Sequence, residues 1–479
     1  MKIVFAASEA APYIKTGGLG DVAGALPTAL SEYKGNEILL FVPYYANIKK
    51  NAALNLERVA EFETDLSWRK AYVGLWRLKS KRRKLQVYFI DNEYYFCRDK
   101  VYGELDDGER FAFFSKAILE SLVYLKQTPD IIHCNDWQTA LLPALMHAFY
   151  ADKFTDTKTV FTIHNIEYQG WAHPYFLGDV LGLGGHYEGT FTYNGSINFV
   201  KGAILTCDAL TTVSRTYAKE ICYPYFAHGL SPIIEEHAFK LSGIVNGIDT
   251  VSNDPETDES LPQNYTASTY KEGKAACKAA LQRELGLPEK PDTPMIGLVS
   301  RLVGHKGLDI ICPALDRMMD ADIQFVIIGT GDTDYENMLS EAAKRYPDKM
   351  SLNLCFSKSL ASKVYAASDI YLMPSKSEPC GLSQLLAMHY GTVPVVHETG
   401  GLKDTVIPFN IETGEGLGFT FQSFNAEDML DAVNRALSVY TSDKNSWNKA
   451  IYNGMSADFT WKNSANEYME LYEKIKYNV

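Results

Sequence analysis

The chain has 479 residues, 46% of them hydrophobic and 22% charged, an ordinary globular composition at a length that calls for two domains rather than one. A net charge of −13 argues against a broad nucleic-acid or membrane surface, while leaving room for a small cationic site. The eight cysteines are scattered, with no CxxC pair and no metal-like cluster, which fits a reducing compartment and predicts no metal centre. The apolar start is short and broken by Glu9, and no run approaches the roughly 20 residues of a membrane helix. A cytoplasmic protein with no membrane or nucleic-acid partner is expected.

In chain order, short β-rich apolar runs alternate with segments of helical period. The first half predicts strands over 2–7, 37–42, 85–90, 130–133 and 159–163, with a helix over 109–126 where Phe113, Ile118, Leu122 and Leu125 recur at helical spacing. The stretch 253–291, rich in Asp, Glu, Pro, Ser and Thr, reads as a connector with a short helical pattern at 271–285. The second half predicts strands over 295–299, 323–328, 351–356, 370–373 and 393–396, separated by helices such as 306–319 and 382–390. Residues 461–477 carry Tyr468, Met469, Leu471, Tyr472 and Ile475 on one helical stripe. Continuous apolar strands alternating with helices imply parallel sheets covered on both faces. The expected class is α/β, with two doubly wound Rossmann-like domains at 1–245 and 291–458, a linker at 246–290 and a terminal segment at 459–479.

In such sheets, ligands bind beyond the carboxyl ends of the strands. Those segments are rich here in Gly and polar residues: Lys15-Thr-Gly-Gly-Leu-Gly-Asp21, His133-Cys-Asn-Asp-Trp137, His164-Asn-Ile-Glu-Tyr-Gln-Gly170 and Ser300-Arg-Leu-Val-Gly-His-Lys-Gly307. Gly329-Thr-Gly-Asp332, Glu378-Pro-Cys-Gly-Leu382 and Thr399-Gly-Gly-Leu402 complete the set. A ligand held between two facing domains is the expectation. Gly18-Leu-Gly20-Asp-Val-Ala23 also satisfies the dinucleotide fingerprint, but the second strand ends Phe41-Val-Pro-Tyr44 without the carboxylate that would hold ribose. Lys15, Arg301 and Lys306 are cations beside glycines at helix openings, a combination suited to a diphosphate. Each also has a plainer reading, as a solvated lysine or a helix-entry ion pair. Likewise Glu378 can be a helix cap, His164 a core histidine, Asp136 an N-cap and Trp137 a packing aromatic.

Taken together, in order and from residue 1 to the terminal helix, these motifs resemble the bacterial and plant glycogen (starch) synthases of the ADP-glucose type, with the glycosyltransferase-B fold. The combination KTGGLGDV, EPCGL and TGGLKDTV carries the resemblance. It implies retaining transfer of glucose from ADP-glucose to the non-reducing end of an α-1,4-glucan, with no cofactor and no metal. It also implies a deep cleft between the domains and a terminal helix that crosses back onto the first. Catalytic roles fall on Glu378, His164, Arg301 and Lys306. Donor contacts fall on Lys15, Gly17, Gly18, Asp21 and Asn246 in the first half, and on Gly329, Cys380, Gly381, Leu382, Thr399, Gly400 and Gly401 in the second. Asp136, Trp137, Asn165 and Tyr95 are expected at the acceptor sugar. His305 stands where the family commonly has Gln, and Arg215 where it commonly has Pro. A related enzyme with a small-sugar acceptor, a phosphorylase and a silent glucan-binding scaffold are the competing readings.

Overall fold

The computed structural model describes residues 1–80 and 84–477. The chain forms two compact units, Met1–Gly247 with Trp461–Val479, and Ile248–Thr460. Among the described residues no helix is long and apolar enough to cross a membrane.

In the first unit the strands are β1 (Lys2–Ala6), β2 (Glu37–Pro43), β3 (Leu56–Leu66), β4 (Arg69–Leu78), β5 (Leu85–Asp91), β6 (Ile131–Asn135) and β7 (Lys158–Ile163). They are followed by β8 (Trp171–Ala172), β9 (Thr192–Tyr193), β10 (Ser196–Asn198), β11 (Ala209–Thr212) and β12 (Leu241–Gly243). Among the described residues the main sheet runs β12-β11-β7-β6-β1-β2-β5-β4-β3, and β8, β10 and β9 make a separate small sheet. Ile3, Val4 and Phe5 in β1, and Ile131 and Ile132 in β6, are fully buried. That is why these strands read as unbroken apolar runs rather than alternating ones. The sheet is parallel except at one side, where β4 pairs antiparallel with both β5 and β3. Its outer strand β3 is guarded by Glu57, Glu61 and Glu63, charges that blunt an edge against further pairing. This hairpin is not among the expected strands, because it is not built of continuous apolar runs: its strands mix buried and exposed positions.

The second unit holds β13 (Met295–Val299), β14 (Gln324–Ile328), β15 (Met350–Asn353), β16 (Ile370–Met373), β17 (Val393–His397) and β18 (Phe419–Phe421). Their order is β15-β14-β13-β16-β17-β18, all parallel. Counted within the unit this is 3-2-1-4-5-6, the doubly wound order with its switch point between β13 and β16. A ligand is therefore expected beyond the carboxyl ends of those two strands.

Residues 253–291, read from composition as a connector, lie within the second unit. Their helix Tyr270–Glu284 buries Lys274, whose ammonium donates to the carbonyls of Ala366 (2.8 Å) and Ser368 (2.9 Å) and to Thr392 Oγ1 (2.8 Å). Lys278, one turn on, pairs with Asp369 at 2.8 Å. A polar-looking helix is thus fixed through two lysines, a contact that hydrophobic periodicity does not register.

The terminal helix Trp461–Tyr477 belongs to the first unit. Tyr468 and Tyr472 are fully buried, and the Tyr472 hydroxyl meets His133 Nδ1 at 2.7 Å. Ser464 Oγ donates to the Val245 carbonyl at 2.6 Å, and Lys476 pairs with Asp130 at 2.8 Å. Arg215, at the family's usual Pro position, pairs with Glu467 of the same helix at 3.0 Å.

Candidate functional site

The strand-end residues of the first unit gather at β1, β6 and β7. After β1 the chain loops through Lys15–Gly17 into the helix Gly18–Ser31, whose N-cap is Gly17. Lys15 Nζ pairs with Asp21 Oδ1 at 2.8 Å across this entry, and both side chains stay partly exposed. A Cβ on Gly20 would stand 3.0 Å from Lys15 Cγ, so that glycine lets the lysine stem lie against the helix. A Cβ built on Gly18 would point into open space.

After β6, Asn135 is fully buried and its amide nitrogen donates to the Ala6 carbonyl at 3.1 Å. Its Oδ1 is left as the acceptor, and His164 Nε2 meets it at 2.9 Å. That geometry puts the proton of the neutral imidazole on Nε2 and a lone pair on Nδ1. Burial pushes the His164 pKa down to about 3, so the ring is neutral and cannot serve as a reservoir of positive charge. Asp136, at φ 55°, accepts the His164 backbone N–H at 2.7 Å. Burial pushes its carboxyl up to about 7, against the pull of the His164 and Asn165 amides. Asn165 Oδ1 is engaged by the Glu167 N–H at 2.9 Å. Trp137 is half-buried, edge-on to Phe111 at 5.2 Å. A Cβ on Gly170, at φ 66°, would lie 2.8 Å from the Trp137 ring, so the segments after β6 and β7 lock together.

Two expected members of this unit stand apart. Tyr95 is only 4% exposed, stacks on Phe113 with ring centroids 4.8 Å apart, and donates its hydroxyl to Glu109 at 2.7 Å. The core takes up its ring, and its neighbour Tyr94 is the exposed one at 70%. Asn246 is buried, one residue before the chain leaves the unit.

In the second unit, Arg301 and Lys306 follow β13 while Glu378 follows β16, the two strands of the switch point. Lys306 Nζ donates to Glu378 Oε2 at 2.6 Å, and Ser375 Oγ donates to the same oxygen at 3.0 Å. Arg301 is exposed, with a guanidinium nitrogen 3.5 Å from His305 Nε2. Gly307, at φ 96°, brings the turn against Pro374, where a Cβ would be 2.3 Å from the carbonyl oxygen. Gly329 lies against Ser300 in the same way, with a Cβ 1.8 Å from its oxygen.

The turn Glu378–Leu382 and the opening of the helix Gly400–Thr405 are pressed together. A Cβ on Gly400 would stand 2.0 Å from the Glu378 carbonyl oxygen, and one on Gly401 would stand 2.0 Å from that of Cys380. The Gly401 N–H donates to the Glu378 carbonyl at 3.0 Å. Thr399 and Cys380 are buried beside this contact, and Gly381 takes φ 73°. Leu382, partly exposed, leads into the helix Ser383–His389.

Three residues of interest escaped the sequence reading. Glu9 is 2% exposed and accepts both the backbone N–H and the hydroxyl (2.8 Å) of Thr16 in the Lys15 loop. Ser375 orients Glu378. Phe356, beyond β15, is 95% exposed, an apolar ring left open on the strand-end side. The dipeptide Ser8-Glu9 directly after a buried strand was the available signal for the first. Ser375 and Phe356 stand in sequence like any loop residue. Among the described residues, no group of three or more His, Cys, Asp or Glu side chains could hold a metal ion.

The starch synthase catalytic domain family matches residues 2–236, and the glycosyl transferases group 1 family matches residues 282–454. The chain is 48% identical to a glycogen synthase of Clostridium novyi, covering 99% of both chains. It is 47% identical to one of Streptococcus agalactiae serotype III, covering 99% of this chain and 100% of that one. The solved catalytic domain of Starch Synthase IV from Arabidopsis thaliana, bound to ADP and acarbose, aligns with a TM-score of 0.91 at 35% identity, covering 99% of each chain. The sucrose-phosphate synthase of Thermosynechococcus elongatus shares the fold alone, with a TM-score of 0.60 at 16% identity. This chain belongs to the glycogen and starch synthase family of glycosyltransferases, with the two-unit α/β architecture of the glycosyltransferase-B class.

Proposed function

We propose that the protein extends an α-1,4-glucan by retaining transfer of glucose from ADP-glucose, releasing ADP. The observation that carries this reading is the cation set after β13, Arg301 and Lys306, with Lys306 held on Glu378 at the switch point of the second sheet. The acceptor hydroxyl attacks the anomeric carbon, the bond from that carbon to the diphosphate oxygen breaks, and the hydroxyl proton passes to the departing phosphate on the same face. Arg301 offers a planar fork and Lys306 a point charge to the oxygens on which charge develops. Glu378, already engaged by Lys306 and Ser375, fits hydrogen bonding to sugar hydroxyls better than nucleophilic attack.

The glycines at 329, 400 and 401 keep the turns close enough for backbone amides to reach the donor, with Cys380, Gly381, Leu382 and Thr399 around them. Phe356 offers an apolar ring for the nucleotide base. In the first unit Lys15 adds a cation to the donor, supported by Gly17, Gly18 and Asp21, while Asn246 completes the donor contacts. His164, Asp136, Asn165 and Trp137 serve the reacting sugar and acceptor. The reaction so drawn uses side-chain cations and calls for no metal or cofactor.

The test is incorporation of labelled glucose into glycogen from ADP-glucose and UDP-glucose in parallel, with and without EDTA. Faster incorporation from ADP-glucose, indifferent to EDTA, is the expected result. Equal use of both donors overturns the donor assignment, and no incorporation from either overturns the reading.

A further inference from the structure

The helix Gly18–Ser31 opens with glycines after a strand, the arrangement that elsewhere offers bare backbone amides to a phosphate. Here a carboxyl group of the protein itself lies beneath the loop that leads into the helix. The Glu9 carboxylate sits 2% exposed at the end of β1 and accepts the Thr16 N–H and, at 2.8 Å, the Thr16 hydroxyl. Burial pushes the Glu9 pKa up, against the pull of the Thr16, Gly17 and Gly20 donors, and a Cβ on Gly17 would lie 3.7 Å from Glu9 Oε1. Its neighbours Tyr45 and Tyr102 turn their hydroxyls to Ser8 instead, at 2.9 Å and 2.7 Å. The carboxylate is therefore held by the loop's amides and hydroxyl rather than by a cation. On the outer side of the same loop, Asp21 holds the Lys15 ammonium at 2.8 Å.

We propose that Glu9 is a positioning residue: its carboxylate fills the amide nest of the Lys15–Gly20 loop and so fixes Lys15 as the group the loop presents to the sugar-nucleotide donor. This rests on the reading of Lys15 as a donor contact. Filling the nest has two effects. It removes amides that would otherwise compete for an anion, which explains why a GxGxxA sequence here need not mark a dinucleotide site. It also converts a glycine-rich segment, the least restrained kind of backbone, into one held at several points from beneath. A buried carboxylate with such partners is costly to leave half-satisfied, so the loop and Glu9 order each other.

The test uses the full chain and four proteins: wild type, Glu9→Gln, Lys15→Ala and the double variant. Gln keeps the volume but replaces one acceptor oxygen with a donor that faces amides. Amide hydrogen exchange in residues 15–20 should quicken by about tenfold or more in Glu9→Gln, with exchange across β6 and β7 unchanged. Unchanged exchange in the loop overturns the proposal. In steady-state assays Lys15→Ala should lose about 10²-fold in kcat/KM and Glu9→Gln about 10-fold or more. The double variant should fall within about twofold of Lys15→Ala, because Glu9 has nothing to position once the lysine is gone. Multiplying losses would show that Glu9 acts on catalysis by another route and overturn the proposal. Quickened exchange together with a fully active Lys15→Ala would locate the failure in the donor role of Lys15, and the positioning role would fall with it. Should Glu9→Gln fold poorly, Thr16→Val removes only the hydroxyl donor and should shift exchange and kcat/KM in the same direction by a smaller factor. No shift in either overturns the proposal.

Discussion

The glycine-rich turns of the two units look alike in sequence and are built on opposite principles. In the second unit the glycines exist for contact: Gly400 and Gly401 lie where a Cβ would stand 2.0 Å from a carbonyl oxygen. The turn that carries Glu378 is held by backbone against backbone, and its charge is settled by one cation, Lys306. In the first unit a Cβ on Gly18 would point into open space, and the loop is held from beneath by a carboxylate. The same letter therefore reports close approach at Gly400 and Gly401 and open space at Gly18. Around the first loop the Lys15–Asp21 pair lies over buried carboxyls and a neutral histidine, whereas around the second the cation Lys306 is paired directly with the carboxylate of Glu378. The second turn is fixed by backbone contact and one ion pair, the first by a buried carboxylate beneath an exposed ion pair.

That contrast can be broken most directly at the cations. Arg301→Ala and Lys306→Ala should each lower kcat by about 10²–10³. Arg301→Ala should leave the circular dichroism spectrum and thermal midpoint near those of the wild type, because Arg301 is exposed. Wild-type turnover in both folded variants would remove the second unit's claim to the leaving group.

A middle-sized effect belongs to Asp136. Its carboxyl titrates near 7 in the folded chain against about 3.8 in the unfolded one, so the folded state binds more protons between those values. The stability it contributes is therefore fully present below pH 4 and lost as pH rises through 7. Asp136→Asn should be neutral at pH 4 and stabilising at pH 8 by about 2 kcal/mol, after allowance for partial solvent screening. Urea unfolding at the two pH values measures this. A variant destabilised equally at both would mean that Asp136 is held as an anion.

The smallest effect sharpens the distinction between holding and reacting. Tyr472→Phe deletes the hydroxyl that meets the buried His133 Nδ1 and should cost about 1 kcal/mol of stability with kcat unchanged. A drop in kcat would show that the terminal helix reaches the chemistry.

What the sequence disclosed follows from how each contact is made. The strands β1, β13, β14, β16 and β17 are unbroken apolar runs and were legible as such, within a residue or so at their ends. The hairpin β3–β4 was hidden because only one of its faces is covered, and β18 because three residues carry no period. The helix Tyr270–Glu284 was legible as a helix but not as part of a folded unit, since its anchors are lysines. At the candidate site the motif residues stood out in the sequence because they lie in Gly-rich and polar turns between strands and helices. Glu9 was passed over because its partners lie seven or more residues along the chain and meet it only when the chain turns back. That Tyr95 lies in the core was not legible, because a pair of adjacent tyrosines gives no clue to which one faces inward.

The last helix of the first unit has a consequence for how the protein is made. Its buried tyrosines complete a core begun at residue 2, yet the ribosome delivers them only after the whole of Ile248–Thr460 has been synthesised. Domains usually fold as they emerge, the N-terminal one first. Here the first unit waits, with the surface around His133 and Val245 uncovered, while the second can close on itself. The order of synthesis and the order of completion are reversed, and a nascent chain stalled before Trp461 would expose the patch that Tyr468 and Tyr472 later cover.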